Sequence, residues 1–164
     1  MAVESVGIQA WVTAFKEVAL ELAGTSLRFD ESVTPLSDAS MCGVQPSAYI
    51  AILSEQESVH LGISTTPEGV RVLTRAMLRI RADRPIEDAD AVDGLSELLN
   101  IVAGKVKSRM TKRDGVLLLG LPIFISGHTH PGAGMEQAGE DLRLGPVPCR
   151  ITVHRRSRVK SRAA

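Results

Sequence analysis

Two carboxylates and a carboxamide, Asp93, Glu97 and Asn100, recur at intervals of four and three residues, a spacing that sets them along one side of an α-helix. The apolar residues of the same segment, Val92, Leu95, Leu99, Val102, Val106 and Met110, follow another stripe, centred roughly 150° away at about 100° per residue. The helix therefore buries one side and presents a carboxylate and a carboxamide on the other. A solvated face needs only charge, whereas Asn is a mildly poor helix former, so Asn100 calls for a purpose. Gly104, one turn on, costs the helix about 1 kcal/mol relative to Ala and bares the backbone beside the amide. A low ridge next to a projecting carboxamide lets another protein approach closely. The residues alone leave open which protein, and they leave open a merely decorative charged face.

Other candidate chemistry is weaker. Gly127-His128-Thr129-His130 puts two histidines on one side of an extended segment, and with His154 or Cys149 a zinc site is conceivable. No Cys-x-x-Cys pair supports it, so the expectation is no metal site and an exposed loop. Ser126 and His128 lack a nucleophile-elbow pattern and an orienting acid. No phosphate-cradling loop or dinucleotide fingerprint occurs.

The elements that must position the acid–amide row can be read from periodicity. Residues 4–23 repeat Ile8, Trp11, Val12, Phe15, Val18, Ala19 and Leu22 at helical spacing, with Gly24 as the stop and the two aromatics as core anchors. Residues 25–46 read as one or two short strands in irregular chain. A hairpin follows, from Ala48–Ser54 to Val59–Ile63, whose alternation places His60 on the surface opposite Val59, Leu61 and Ile63. Thr65-Thr66-Pro67-Glu68 reads as a capping box opening a helix through Val70, Leu73, Met77 and Ile80. After a charged linker with Pro85, the long helix runs from Glu87–Asp90 to Met110–Arg113, its acids and bases matching the helix dipole. Strands are expected at 116–120 and 122–126, a Gly- and His-rich loop at 127–140, and a last strand pair at 141–144 and 149–154. Helices alternating with hairpins predict an α+β fold, long helices packed on a mainly antiparallel β-sheet.

Size and composition set the outer bounds. The chain of 164 residues suits one domain with a real core. Its aromatic content of 3% argues against a nucleic-acid stacking platform. The formal charge is zero, but Arg155, Arg156, Arg158, Lys160 and Arg162 crowd the end, leaving the body near −5. The expected organisation is one domain over 1–155 and a basic, disordered, solvated tail over 156–164. Two distant cysteines, Cys42 and Cys149, form no disulfide framework and suit a reducing compartment. Glu4, Gln9, Lys16 and Glu17 interrupt any signal-like run, and no stretch reaches membrane-span length. The expectation is a soluble cytoplasmic protein with no membrane contact.

With these residues in view, the chain resembles the CheC/CheX/FliY family of chemotaxis phosphatases. The family signature is an acid or Ser, three residues, Glu, two residues, Asn, about twenty-two residues and Pro. Here Asp93-x3-Glu97-x2-Asn100 is followed, twenty-one residues between, by Pro122 in Gly120-Leu-Pro-Ile-Phe-Ile. The helix reads Glu97-Leu-Leu-Asn-Ile-Val-Ala-Gly104-Lys105, similar to the family's Glu-Leu-x-Asn-x-Ile-Ala-Gly-Asn, with Lys105 in place of the last Asn. The preceding hairpin and Arg75-Ala-Met-Leu78 look similar as well, and a single Glu-x-x-Asn copy resembles the CheX branch, not the two-site CheC pattern. The resemblance implies a CheC-like layer of helices on a sheet and a substrate, the phosphoaspartate of a response-regulator receiver domain. It implies that Asn100 positions the attacking water and Glu97 pairs with the receiver's lysine, with Asp93 and Gly104 at the partner interface. It implies no cofactor of the chain's own, the Mg²⁺ being the receiver's, and a homodimer formed through sheet edges.

Two other readings compete. The same fold can serve as a non-catalytic adaptor in two-component or flagellar-switch assemblies. A nucleic-acid binder acting through the basic tail would show steep salt dependence, but the near-neutral total charge disfavours it.

Overall fold

A computed structural model describes residues 6–158, except for the side chains of Arg113 and Asp114. Its elements run α1 (Ile8–Thr25), β1 (Pro46–Leu53), β2 (Glu57–Thr65), α2 (Pro67–Leu78), α3 (Asp88–Asp114), β3 (Leu118–Leu119), β4 (Ile123–Ser126), β5 (Glu136–Leu144) and β6 (Val147–Ser157). All strand pairings are antiparallel, in the order β3-β1-β2-β6-β5, and β4 joins β1 on the same side as β3. The helices lie on one face of this sheet, so the fold is α+β, as the alternation of helices and hairpins predicts.

Period-two patterning explains which face they cover. Ala48, Ile50 and Ile52 of β1, Val59, Leu61 and Ile63 of β2, and Ile151 and Val153 of β6 are buried beneath the helices. From above, α1 contributes Trp11, Phe15, Val18 and Leu22, and α3 contributes Leu95, Leu98, Leu99, Val102 and Val106. Helix α1 packs on α3, β5 and β6; α3 packs on β1 and touches β3 and β4.

Several expectations need correction. Helix α1 continues one residue past Gly24, and residues 4 and 5 of the expected helix lie outside the described part. Segment 26–45 contains no strand; its one regular feature is a short 3₁₀ turn, Asp38–Met41, capped by Ser37. The cap of α2 is Thr66, not Thr65: its Oγ1 accepts from the Gly69 N–H at 2.9 Å, and Pro67 occupies the first helical position. Thr65 instead donates to the Pro148 carbonyl at 2.6 Å and belongs to β2. Helix α2 stops before Ile80 because Arg79 adopts the left-handed conformation (φ 54°). The 127–140 loop ends early, since β5 begins at Glu136; Gly139 permits this, because a Cβ there would sit 2.4 Å from the Ile151 carbonyl oxygen.

The end of the chain is also not simply solvated. Strand β6 extends to Ser157, and the Arg158 N–H bonds the Gln56 carbonyl. Arg155 points inward, 7% exposed, pairing with Glu57 and, at 2.7 Å, with Glu136; Trp11 Nε1 donates to Glu57 Oε1 at 3.0 Å. The guanidinium thus ties β6 to β2 and β5 beneath α1. The rest of the expected tail, 159–164, lies outside the described residues.

Candidate functional site

Helix α3 is held on two sides. The sheet takes Leu95, Leu99, Val102 and Val106, while α1 and α2 together line the neighbouring flank. Gly94 meets Thr74 of α2 so closely that a Cβ would fall 2.4 Å from the Thr74 Oγ1, and that hydroxyl donates to the Ala91 carbonyl at 3.2 Å. Further along, Arg109 pairs with Glu17 (3.4 Å) and Glu21 of α1. The buried arc is therefore wider than the apolar stripe in the sequence, taking in Ala91, Gly94, Leu98 and Ala103. Ala91, Gly94 and Ala103 are small and read as neutral in a periodicity count, Leu98 lies off the centre of the stripe, and the flanking helices bury them.

What remains outside is a narrow ridge. Asp93 and Glu97 are exposed, and Asn100 and Gly104 are half-exposed. With about 100° and 1.5 Å per residue, these four fall along one line, opposite the sheet. None of the side chains of Asp93, Glu97 and Asn100 has a hydrogen bond or ion pair to a described residue. The contrast is with Asp88, at the start of the same helix, which pairs with Arg71 at 2.9 Å. The two glycines of the helix also differ in kind. Gly94 is demanded by helix packing, whereas nothing lies within 4 Å of a Cβ built on Gly104. Its cost in helix propensity has no packing return among the described residues.

The structure thus brings together every residue the sequence singled out on this helix, and it leaves their functional groups unsatisfied and pointing away from the fold. Chemically, the row offers a carboxylate for a cationic group and, one turn on, an amide that donates and accepts at once. Both are rigidly carried on a helix fixed by core packing.

Pro122 lies at a break in the sheet edge. Strand β3 pairs with Ile52 and Leu53, β4 pairs with residues 46–49, and the Gly120 N–H bonds the Ala51 carbonyl at 2.8 Å. Proline lacks the N–H a ladder needs, so Leu121-Pro122 loops out between two short edge segments.

The histidines occupy the opposite face of the sheet. His60 is on the predicted side but is not a plain surface residue: it is half-buried, its register partner on β6 is His154, and its Nδ1 is buried without a hydrogen-bond partner. His154 is 6% exposed and stacks on Tyr49 with ring centroids 5.9 Å apart. Tyr49 can lie flat because Gly62 has no side chain to obstruct it, and its hydroxyl bonds Thr129 at 2.8 Å. Burial holds both imidazoles below the usual histidine range. His128 and His130 stack with centroids 6.3 Å apart. Among the described residues no group of three or more His, Cys, Asp or Glu is placed to hold a metal ion. Burial pushes the Cys149 thiol up to about 12, so it is not a thiolate at neutral pH. No helix among the described residues is long and apolar enough to cross a membrane.

Comparison with known proteins adds a family. The model of the family "Chemotaxis phosphatase CheX" matches residues 47–138. No curated protein sequence matches the chain. Among solved structures, the chemotaxis protein CheX from Vibrio vulnificus is similar at 15% identity and a TM-score of 0.66, covering 92% of this chain and 99% of the other. A CheC-like superfamily protein from Shewanella sp. PV-4 is similar at 17% identity and a TM-score of 0.67, covering 89% and 97%. A third similar structure, a complex of CheX, CheY, BeF3 and Mg²⁺ from Borrelia burgdorferi, matches at 15% identity and a TM-score of 0.62, covering 91% and 97%. At such identities the likeness is one of fold.

Proposed function

The chain belongs to the CheX family of chemotaxis phosphatases, and from that premise we propose that it hydrolyses the phosphoaspartate of a response-regulator receiver domain. The observation that carries this reading is the unpartnered Glu97–Asn100 pair on the outer ridge of α3, beside a glycine that no internal packing requires. The Borrelia CheX structure, bound to CheY with BeF3 and Mg²⁺, supports the class of partner.

The chemistry asks little of the enzyme. An acyl phosphate is already activated, and the receiver's own Mg²⁺ neutralises its charge. What is missing is a water held in line with the leaving carboxylate. Asn100 supplies it: the amide oxygen accepts a hydrogen bond from the water, while the amide nitrogen can donate to a phosphoryl oxygen. The water oxygen bonds to phosphorus, the bond from phosphorus to the aspartate oxygen breaks, and inorganic phosphate, which keeps both of the water's protons, leaves beside a free carboxylate. An amide is too weak a base to take the water's proton, so Asn100 acts by position. Glu97 pairs with the receiver's lysine and fixes the docked geometry. Asp93 and Gly104 belong to the partner interface, and the chain needs no metal of its own. A receiver partner places the protein in the cytoplasm.

The test is dephosphorylation of phosphorylated receiver domains by wild type and Asn100→Ala. We expect turnover to fall to the receiver's own rate in the variant, with the melting temperature unchanged. Wild-type protein that accelerates no receiver in a panel would refute the proposal, and binding of a receiver without acceleration would support the adaptor reading instead.

The homodimer implied by the resemblance has one suitable edge. Strand β5 ends the sheet with Glu136, Glu140, Asp141 and Arg143, charges that discourage strand addition. The β3/β4 edge instead exposes Val116, Leu118, Leu121 and Ile123, with Leu118 63% and Ile123 62% accessible. Sedimentation of Leu118→Lys/Ile123→Lys as monomer, against a wild-type dimer, is expected; a wild type that sediments as monomer at tens of micromolar would sink this assignment.

A further inference from the structure

The ridge of α3 carries more charge organisation than one acid and one amide require. Asp93 and Glu97 stand one turn apart with the same sign on the ridge, and Lys105 and Arg109 do so on the flank beside it. Like charges at this spacing destabilise a helix, whereas Glu followed by Lys at the same interval would stabilise it. The helix dipole accounts for acids and bases only within the first and last turns. It covers Asp88, Asp90 and Lys112, but Asp93 and Glu97 lie in the second and third turns, and Lys107 lies two turns before the end of α3 at Asp114. The mid-helix separation of charge therefore has no cause within the helix.

Nor has it one in the surrounding fold. Arg109, on the flank, is taken up by Glu17 and Glu21 of α1. Lys107 is half-exposed and has no ion pair or side-chain hydrogen bond to a described residue. It follows Asn100 by seven residues, two turns, so the two share a line on the ridge about 10 Å apart. Acids thus stand on one side of Asn100 and an uncommitted ammonium on the other.

We propose that Lys107 is a specificity-determining contact for the receiver domain. It pairs with an acidic side chain on the receiver surface, about 10 Å from the phosphoaspartate. The receiver's lysine meets Glu97 at the acidic end of the ridge, and its acidic patch meets Lys107 at the basic end. The receiver can then lie along α3 in one direction only. This inference rests on the phosphatase reading and names which receivers that site accepts. A charge at the rim of an interface acts on encounter and register more than on the chemical step, so Lys107 is a positioning residue.

The test uses the full chain and a panel of phosphorylated receiver domains, with wild type, Lys107→Glu, Lys107→Gln, Asn100→Ala and Arg156→Glu. The last places the same change of charge on the helix-free face of the sheet. Lys107→Glu is expected to lower kcat/KM for the preferred receiver roughly tenfold with kcat retained, and to flatten its dependence on salt. Lys107→Gln should fall between, and Arg156→Glu should match wild type. If Asn100→Ala is inactive while Lys107→Glu retains wild-type kcat/KM and salt dependence, the handle is refuted and the phosphatase stands. An equal loss in Arg156→Glu would also overturn it, since long-range charge alone would explain the effect. If Asn100→Ala turns over like wild type, the phosphatase reading fails, and this inference with it.

Discussion

The two glycines of α3 make a matched experiment, because the same substitution should act with opposite sign at each. At Gly94 an alanine Cβ would lie 2.4 Å from Thr74 Oγ1, 2.5 Å from Cγ2 and 2.7 Å from Cβ. Rotation about χ1 cannot move the Thr74 Cβ, so α2 and α3 must separate. Overpacking of this kind costs about 1–3 kcal/mol, and the Thr74–Ala91 hydrogen bond puts about another 1 kcal/mol at risk. The gain in helix propensity, about 1 kcal/mol, offsets part of this, leaving Gly94→Ala destabilised by about 1–3 kcal/mol. Gly104→Ala meets nothing within 4 Å, so the propensity gain of about 1 kcal/mol stands alone. For a chain of this size that raises the melting temperature by about 2–4 °C. If the ridge seats a receiver closely, the added methyl must cost docking, roughly tenfold in kcat/KM for about 1.4 kcal/mol of misfit. The assays are calorimetry and receiver dephosphorylation on the same preparations. A lower melting temperature in Gly104→Ala would refute the open-space argument. A higher one with unchanged kcat/KM would refute the role of Gly104 in docking.

Two further outcomes follow from groups away from the ridge. Glu57→Gln removes the buried carboxylate that pairs with Arg155 and should cost about 3 kcal/mol in urea unfolding; a change under about 0.5 kcal/mol would show the pair to be dispensable. His60 and His154, held below their ordinary pKa by burial, bind protons more readily in the unfolded chain. Stability is therefore fully present above about pH 6.5 and declines as pH falls from there through the folded-state values. His60→Gln/His154→Gln should flatten that decline, and an equally steep loss in the double variant would place its origin elsewhere.

Elements with strong periodicity were legible from the residues: the three helices, the β1–β2 hairpin and the line of Asp93, Glu97, Asn100 and Gly104. Those of weak local preference were not. Strand β5 begins in Glu136-Gln-Ala-Gly-Glu140, poor strand formers that β6 pairs regardless. Segment 26–45 is rich in turn residues and pairs with nothing as a strand. Arg155, one more base in a basic run, is buried because β6 continues past it and Glu57 and Glu136 await it. His60 lay on the predicted face, but whether that face was covered depended on Tyr49 lying across Gly62 and on a loop 80 residues away in sequence bonding it through Thr129.

By itself, the sequence determined which side of α3 carries the acid and the amide, because side-chain direction on a helix follows from spacing alone. Only the tertiary structure decided that this side is left bare. Two helices close one flank and the sheet closes another, and burial is a property of what packs nearby. The same packing separates Gly94, which the fold consumes, from Gly104, beside which it leaves open space.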